Sequence, residues 1–160
     1  MLASELVKFF PGKPRFLGPI NITYKKKINK RLFHKLTSFL KSSATQLSKV
    51  GLSNAVIGLS GGLDSAVTCA FCNAAFGTKA LAVIVDFSSN SLTSDTKFAV
   101  KVAKNIGIKY KIINAARVFK DSLKLVSHQS TMMRLHFRTR LINNIIFQVA
   151  DNKSAIVLDT

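Results

Sequence analysis

The chain has 160 residues, 48% of them hydrophobic and 19% charged, with 8 Gly and 3 Pro, a composition that supports one core and excludes collagen-like and disordered chains. No apolar run approaches the roughly 18 residues of a membrane span, and the start, MLASELVKFFPGK, lacks the charge, long apolar stretch and cleavage site of a secretory signal. The expectation is a cytoplasmic protein with no membrane partner.

The formal charge of +17, from 24 Lys and Arg against 7 acids, favours an anionic partner, with nucleotides, RNA and acidic lipid all eligible. The bases are spread along the chain, however, as on an ordinary solvated surface. Lys97, Lys101 and Lys104 fall at helical spacing opposite Phe98, Val102 and Ile106.

In chain order, Pro11, Pro14 and Pro19 lie with Gly12 and Gly18 in the first 20 residues. Residues 1–24 therefore read as an irregular arm, and one compact domain is expected over 25–160. After the basic run Lys25, Lys26, Lys27, the positions Leu32, Leu36, Phe39, Leu40 and Leu47 recur at helical spacing and predict an amphipathic helix over 28–49, ended by Gly51.

Short apolar runs then alternate with helical segments. The runs AVIGL (55–59), ALAVIV (80–85), IKYKII (108–113) and AIVL (155–158) predict strands, and the intervening segments predict helices over 64–76, 95–106, 117–126 and 131–151. Thr93 or Ser94 is expected to cap the second of these helices and Gly107 to stop it. This alternation specifies an α/β fold, a parallel sheet flanked by helices. ALAVIV, apolar throughout, suits a strand covered on both faces.

Cys69 and Cys72 stand three apart in an apolar segment with no second pair beside them and read as core residues. His34, His128 and His136 show no metal-ligand spacing and read as surface or helix residues.

The chemistry concentrates in Ser60-Gly61-Gly62-Leu63-Asp64-Ser65, directly after the first strand and opening a helix. Adjacent glycines allow a tight turn and a close approach to a ligand. The amides of the turn and helix start then point outward together, with the positive end of the helix dipole behind them. Ser60 and Ser65 can donate hydroxyl hydrogen bonds to the same phosphate oxygens. Asp64 suits such a site once a divalent cation such as Mg²⁺ bridges carboxylate and phosphate. The bland alternative is a glycine turn capped by Ser and Asp, but five fixed positions at roughly 7% usage each coincide by chance in only about three chains in ten thousand of this length. This is no Walker loop, since no Lys follows the glycines.

SGGLDS resembles the pyrophosphate loop of the ATP pyrophosphatases that activate a substrate by adenylation, a group that includes NAD synthetases, GMP synthetases, asparagine synthetases and several tRNA-modifying enzymes. The longer stretch GLSGGLDSAVTCAF is most similar to NAD synthetases. The likeness continues in Ser88-Ser89 followed by Asp95, in VAKNIGIKYKII, in Arg138-Thr139-Arg140 and in VLDT at 157–160.

The resemblance implies an adenine nucleotide alpha hydrolase-like (Rossmann-like) fold, with ATP and Mg²⁺ at the carboxyl ends of the strands. It implies that Gly58, Leu59, Ser60, Gly61, Gly62, Leu63, Asp64 and Ser65 hold the ATP phosphates, that Asp64 ligates Mg²⁺, and that Thr160 lies near ATP. Deamido-NAD and ammonia would be the substrates, free ammonia because no glutaminase segment precedes the loop. The chain would form a homodimer, with Leu141, Ile145 and Phe147 serving either the interface or the core.

An ungapped match backwards from Thr160 places Arg140 on the arginine that contacts the dinucleotide; a gapped match places Arg138 there, and Arg140 is preferred. The sequence departs from the family in having Asp86-Phe87 where Met-Pro is usual, Arg134 or His136 in place of an Asn, and Asp159 in place of Gly. Family members continue past Thr160 with further Mg²⁺ and substrate ligands, so the domain is expected to be incomplete at its carboxyl end. The alternatives are a tRNA-modifying enzyme of the same superfamily, for which nucleic acid is a possible but less favoured partner, and a truncated, non-catalytic ATP-binding domain.

Overall fold

The computed structural model describes residues 30–125 and 130–159. The proposed arm over 1–24, the basic run Lys25 to Lys27, His128 and Thr160 lie outside the described residues. The elements are α1 (Lys30–Ser48), β1 (Asn54–Gly58), α2 (Leu63–Phe76), a 3₁₀ turn (Gly77–Lys79), β2 (Ala80–Asp86), α3 (Ser94–Ile106), β3 (Lys109–Asn114), α4 (Ala116–Leu123), α5 (Thr131–Asp151) and β4 (Ala155–Leu158).

The four strands form one sheet in the order β3-β2-β1-β4, and every pair is parallel. Parallel neighbours need crossover connections, which α2, α3 and the helices before β4 supply. All four strand runs and the four helices between them appear at their predicted places within a few residues.

Alternation along β1 divides the core. Ala55, Ile57 and Leu59 turn to one face with Ala66, Cys69 and Cys72 of α2 and Ala99, Val102 and Ala103 of α3. Val56 turns to the other with Ile146 and Ala150 of α5. The helices present small side chains, Ala66, Ala99 and Ala103, to larger ones on the sheet side, Ile57, Leu59 and Ile84. Both cysteines are free and buried. Burial pushes each thiol up to about 12, helped at Cys69 by the charge Cys72 would carry, so they stay protonated, as core residues do.

Local rules set the ends of α3. The Thr93 hydroxyl accepts from the Thr96 amide at its start, and Gly107, left-handed at φ 76°, closes it with its amide on Ala103 O and Lys104 O. The helix α1 forms where its spacing predicted, but turns a different face inward. Leu32, Leu36 and Phe39 are exposed while Phe33, Thr37, Leu40, Ala44 and Leu47 are buried or half-buried. The α1 contact with α2 runs through Phe33, whose ring stacks on Phe71 at 4.9 Å.

Candidate functional site

Four residues join β1 to α2 at the carboxyl end of the sheet. Leu59 keeps the strand direction, its amide donating to Val83 O at 2.9 Å, and its side chain is buried, so only its backbone can meet a ligand. A Cβ at Gly58 would stand 2.6 Å from Ile146 Cδ1, so the absence of a side chain there lets α5 lie against β1. Gly61 has φ +87°, and a Cβ on it would stand 3.2 Å from Phe98 Cδ1 and 3.4 Å from both Ala99 N and Asp95 O. The first turns of α3 thus form the wall behind the loop, and glycine is required on two counts.

The hydroxyls of Ser60 and Ser65 converge at 3.0 Å. Ser60 Oγ accepts from the Gly62 amide at 3.2 Å, and Ser65 Oγ donates to Gly62 O at 3.1 Å. Gly62 is the N-cap of α2 and brings no side-chain cap, whereas Thr93 caps α3 and Ser130 caps α5. The first amides of α2 and two hydroxyls therefore share one turn, which suits an anion with several acceptor oxygens. Leu63 is 58% exposed.

Asp64 is exposed in the first turn of α2. Among the described residues no cluster of three or more His, Cys, Asp or Glu could hold a metal unaided. One carboxylate beside a phosphate cradle nevertheless fits Mg²⁺, which takes one or two carboxylates together with phosphate oxygens.

The neighbouring connection, from β2 to α3, is organised by Asp86, 1% exposed at the end of its strand. Its Oδ1 accepts from Thr96 Oγ1 at 2.6 Å, Thr93 Oγ1 at 3.3 Å and the Thr93 amide at 3.4 Å. Its Oδ2 accepts from the Ser88 amide at 3.1 Å, from Ser88 Oγ, and from Asn114 Nδ2 at 3.4 Å. Burial alone raises the carboxyl pKa, but the hydrogen bonds from Ser88, Thr96 and Thr93 more than reverse this and hold it down at about 2, below the ordinary 3.8. Sequence reasoning registered Asp86 only as a departure from the family pattern. The available signal was a carboxylate closing an otherwise apolar strand among Ser and Thr.

Of the two arginines, Arg138 turns toward this end of the sheet, its guanidinium 4.5 Å from the Phe87 ring centre. Phe87 meets Phe119 edge-on at 5.3 Å, and Phe119 stacks on Phe137 at 5.7 Å, tying the end of β2 to α4 and α5. Arg140, two residues along α5, is exposed like Arg138, and what sets Arg138 apart is its contact with Phe87. The loop residues Gly58 to Ser65, Asp64 included, and the Phe87 ring that Arg138 covers thus both follow the carboxyl ends of neighbouring strands, β1 and β2.

Residues 32–160 match the family described as NAD synthase. The chain is 31% identical over 130 residues to an NH(3)-dependent NAD(+) synthetase of Pyrococcus furiosus, covering 79% of this chain and 46% of that protein. It is 38% identical over 93 residues to the protein of that name from Methanococcus aeolicus, covering 56% and 34%. Among solved structures, an NH3-dependent NAD synthetase from Campylobacter jejuni superposes with TM-score 0.71 at 20% identity, over 80% of this chain and 54% of that one. An NMN synthetase from Francisella tularensis gives 0.68 at 25%, over 80% and 52%. The chain thus spans about half the length, or less, of these relatives. With SGGLDS folded at the carboxyl end of β1 and the match running through all four strands, the chain belongs to the NAD synthase family.

Proposed function

We propose that this chain carries the ATP-binding part of an ammonia-dependent NAD synthetase. In that reaction the carboxylate of deamido-NAD attacks the α-phosphorus of ATP, the bond to the β-phosphate oxygen breaks and pyrophosphate leaves. Ammonia then adds to the adenylate carbonyl, loses a proton and expels AMP, giving NAD.

The first step builds negative charge on the departing pyrophosphate. The α2 amides face that charge directly, and the Ser60 and Ser65 hydroxyls meet it by turning from their bonds to each other and to Gly62 O, which together supply electrostatic stabilisation. Asp64 would hold Mg²⁺, which supplies charge neutralisation on the phosphates. Arg138 and Arg140 are the candidates for the dinucleotide, and the contact with Phe87 favours Arg138 as the one already facing the strand ends. Thr160 is retained from the resemblance as an ATP neighbour, and a second copy of the chain as the partner.

The observation that carries this reading is the convergence of two hydroxyls on an uncapped helix start in a chain of this family. The test incubates the protein with Mg-ATP, deamido-NAD and ammonium and follows NAD, AMP and pyrophosphate chromatographically. Equal amounts of the three are expected. ATP binding that is lost in Asp64→Ala, without pyrophosphate release, would instead establish a non-catalytic nucleotide-binding domain, and failure to bind ATP would refute both.

A further inference from the structure

Two contacts connect Asp86 to the phosphate loop without Asp86 touching it. Asp86 Oδ1 holds Thr93 and Thr96, the cap and the first turn of α3, and the two threonine hydroxyls bond each other at 2.8 Å. The backbone of the first two turns of that helix, at Asp95 O and Ala99 N, lies 3.4 Å from where a Gly61 Cβ would be. Any shift of the α3 start therefore changes the wall against which Gly61 is set, and with it the direction of the Gly61 and Gly62 amides.

Asp86 Oδ2 ties the same point to the end of β3 through Asn114 Nδ2, which also donates to Ser88 O at 2.7 Å. The carboxylate thus joins β2, β3 and α3 at the edge of the site. A helix cap alone would need only Thr93, whose hydroxyl already accepts the Thr96 amide at 3.1 Å. The additional buried charge is explained by fixing where the helix stands rather than whether it forms.

We propose that Asp86 is a positioning residue for the phosphate loop, acting through Thr96 and the first turn of α3 on Gly61, so that phosphate affinity depends on a carboxylate that never meets the ligand. The inference rests on the reading of Gly58 to Ser65 as a phosphate cradle, but its structural half can be tested without a ligand. Asp86→Asn removes the charge, while Thr96→Val keeps the charge and removes the shortest bond between Asp86 and α3, together with the Thr93–Thr96 hydroxyl bond. Thr96→Ser restores the hydroxyl.

The readouts are the amide resonances of Gly61 and Gly62, with those of Gly51 and Gly77 as remote controls, and the affinities for inorganic pyrophosphate and for adenosine. Asp86→Asn and Thr96→Val are expected to move the Gly61 and Gly62 signals, leave the controls in place and weaken pyrophosphate binding about tenfold with adenosine binding unchanged. Thr96→Ser should return both to the wild-type values. Should Asp86→Asn fail to fold, Thr96→Val carries the test alone. A folded Thr96→Val protein with unmoved Gly61 and Gly62 signals would overturn the proposal, as would a loss of adenosine and pyrophosphate affinity in equal measure. Glycine signals moved in the two variants, with a wild-type chain that binds neither ATP nor pyrophosphate, would uphold the positioning and refute the nucleotide reading instead.

Discussion

Asp86 makes the pH behaviour of the chain predictable at the level of one residue. Its folded pKa of about 2 lies below the ordinary 3.8, so the unfolded chain binds this proton more readily than the folded one. The contribution of Asp86 to stability is therefore complete above about pH 4 and lost as the pH falls through the folded value. Urea midpoints between neutral pH and pH 3 should fall more steeply in the wild type than in Asp86→Asn, which has no proton to take up. At neutral pH the variant should be less stable by about 3 kcal/mol, the scale for removing a buried charge that accepts several hydrogen bonds. Equal acid limbs would show that another carboxylate controls acid unfolding. Gly61 is the second sensitive position: Gly61→Ala forces a side chain into a left-handed conformation against the α3 backbone, with an expected cost of about 2 kcal/mol and loss of pyrophosphate binding in the folded fraction. Calorimetric titration together with thermal unfolding separates the two effects.

At the level of elements, β1 and β2 were legible because a parallel strand covered on both faces is a continuous apolar run, β3 at the sheet edge because apolar residues still alternate with its exposed Lys109 and Lys111, and the helices because capping residues mark their ends. The position of the phosphate loop followed from the same pattern. The face that α1 buries did not. Leu32, Leu36, Phe39, Leu40 and Leu47 spread over a wide arc, and periodicity shows that a helix is amphipathic without showing which neighbour it meets. The Asp86 network was largely hidden, because it joins positions 86, 93, 96 and 114 from separate elements, and the one local signal, a carboxylate closing an apolar strand, does not name its partners. The inward face of α1 also carries a defect: Thr37 is buried, and its hydroxyl has no hydrogen-bond partner among the described residues. Thr37→Val keeps the shape and removes the unpaired hydroxyl, so it should stabilise the protein by about 1 kcal/mol. A lower thermal midpoint for the variant would show that this hydroxyl has a partner after all.

The whole molecule sets charge against apolar surface. Two chains of +17 repel each other, and yet α5 leaves Met132, Met133, Leu135 and Phe147 more than half exposed. The expected homodimer would use this helix: the side chains that pack on the sheet, Ile142, Ile145, Ile146, Val149 and Ala150, come from its carboxyl-terminal half, and residues 131–136 are all exposed. Dimerisation and polyanion binding then respond to salt in opposite directions. Screening reduces repulsion between like-charged chains, so an apolar interface should tighten between about 0.05 M and 0.5 M salt as the Debye length shortens. Binding to tRNA through counterion release weakens steeply over the same range. Sedimentation velocity should therefore show more dimer at high salt in the wild type and none in Phe147→Glu at either, with tRNA bound no more tightly than a polyanion control. A dimer that dissociates as salt rises would assign the interface to ion pairs instead of α5, and tRNA binding that exceeds the control at high salt would revive the tRNA-modifying alternative.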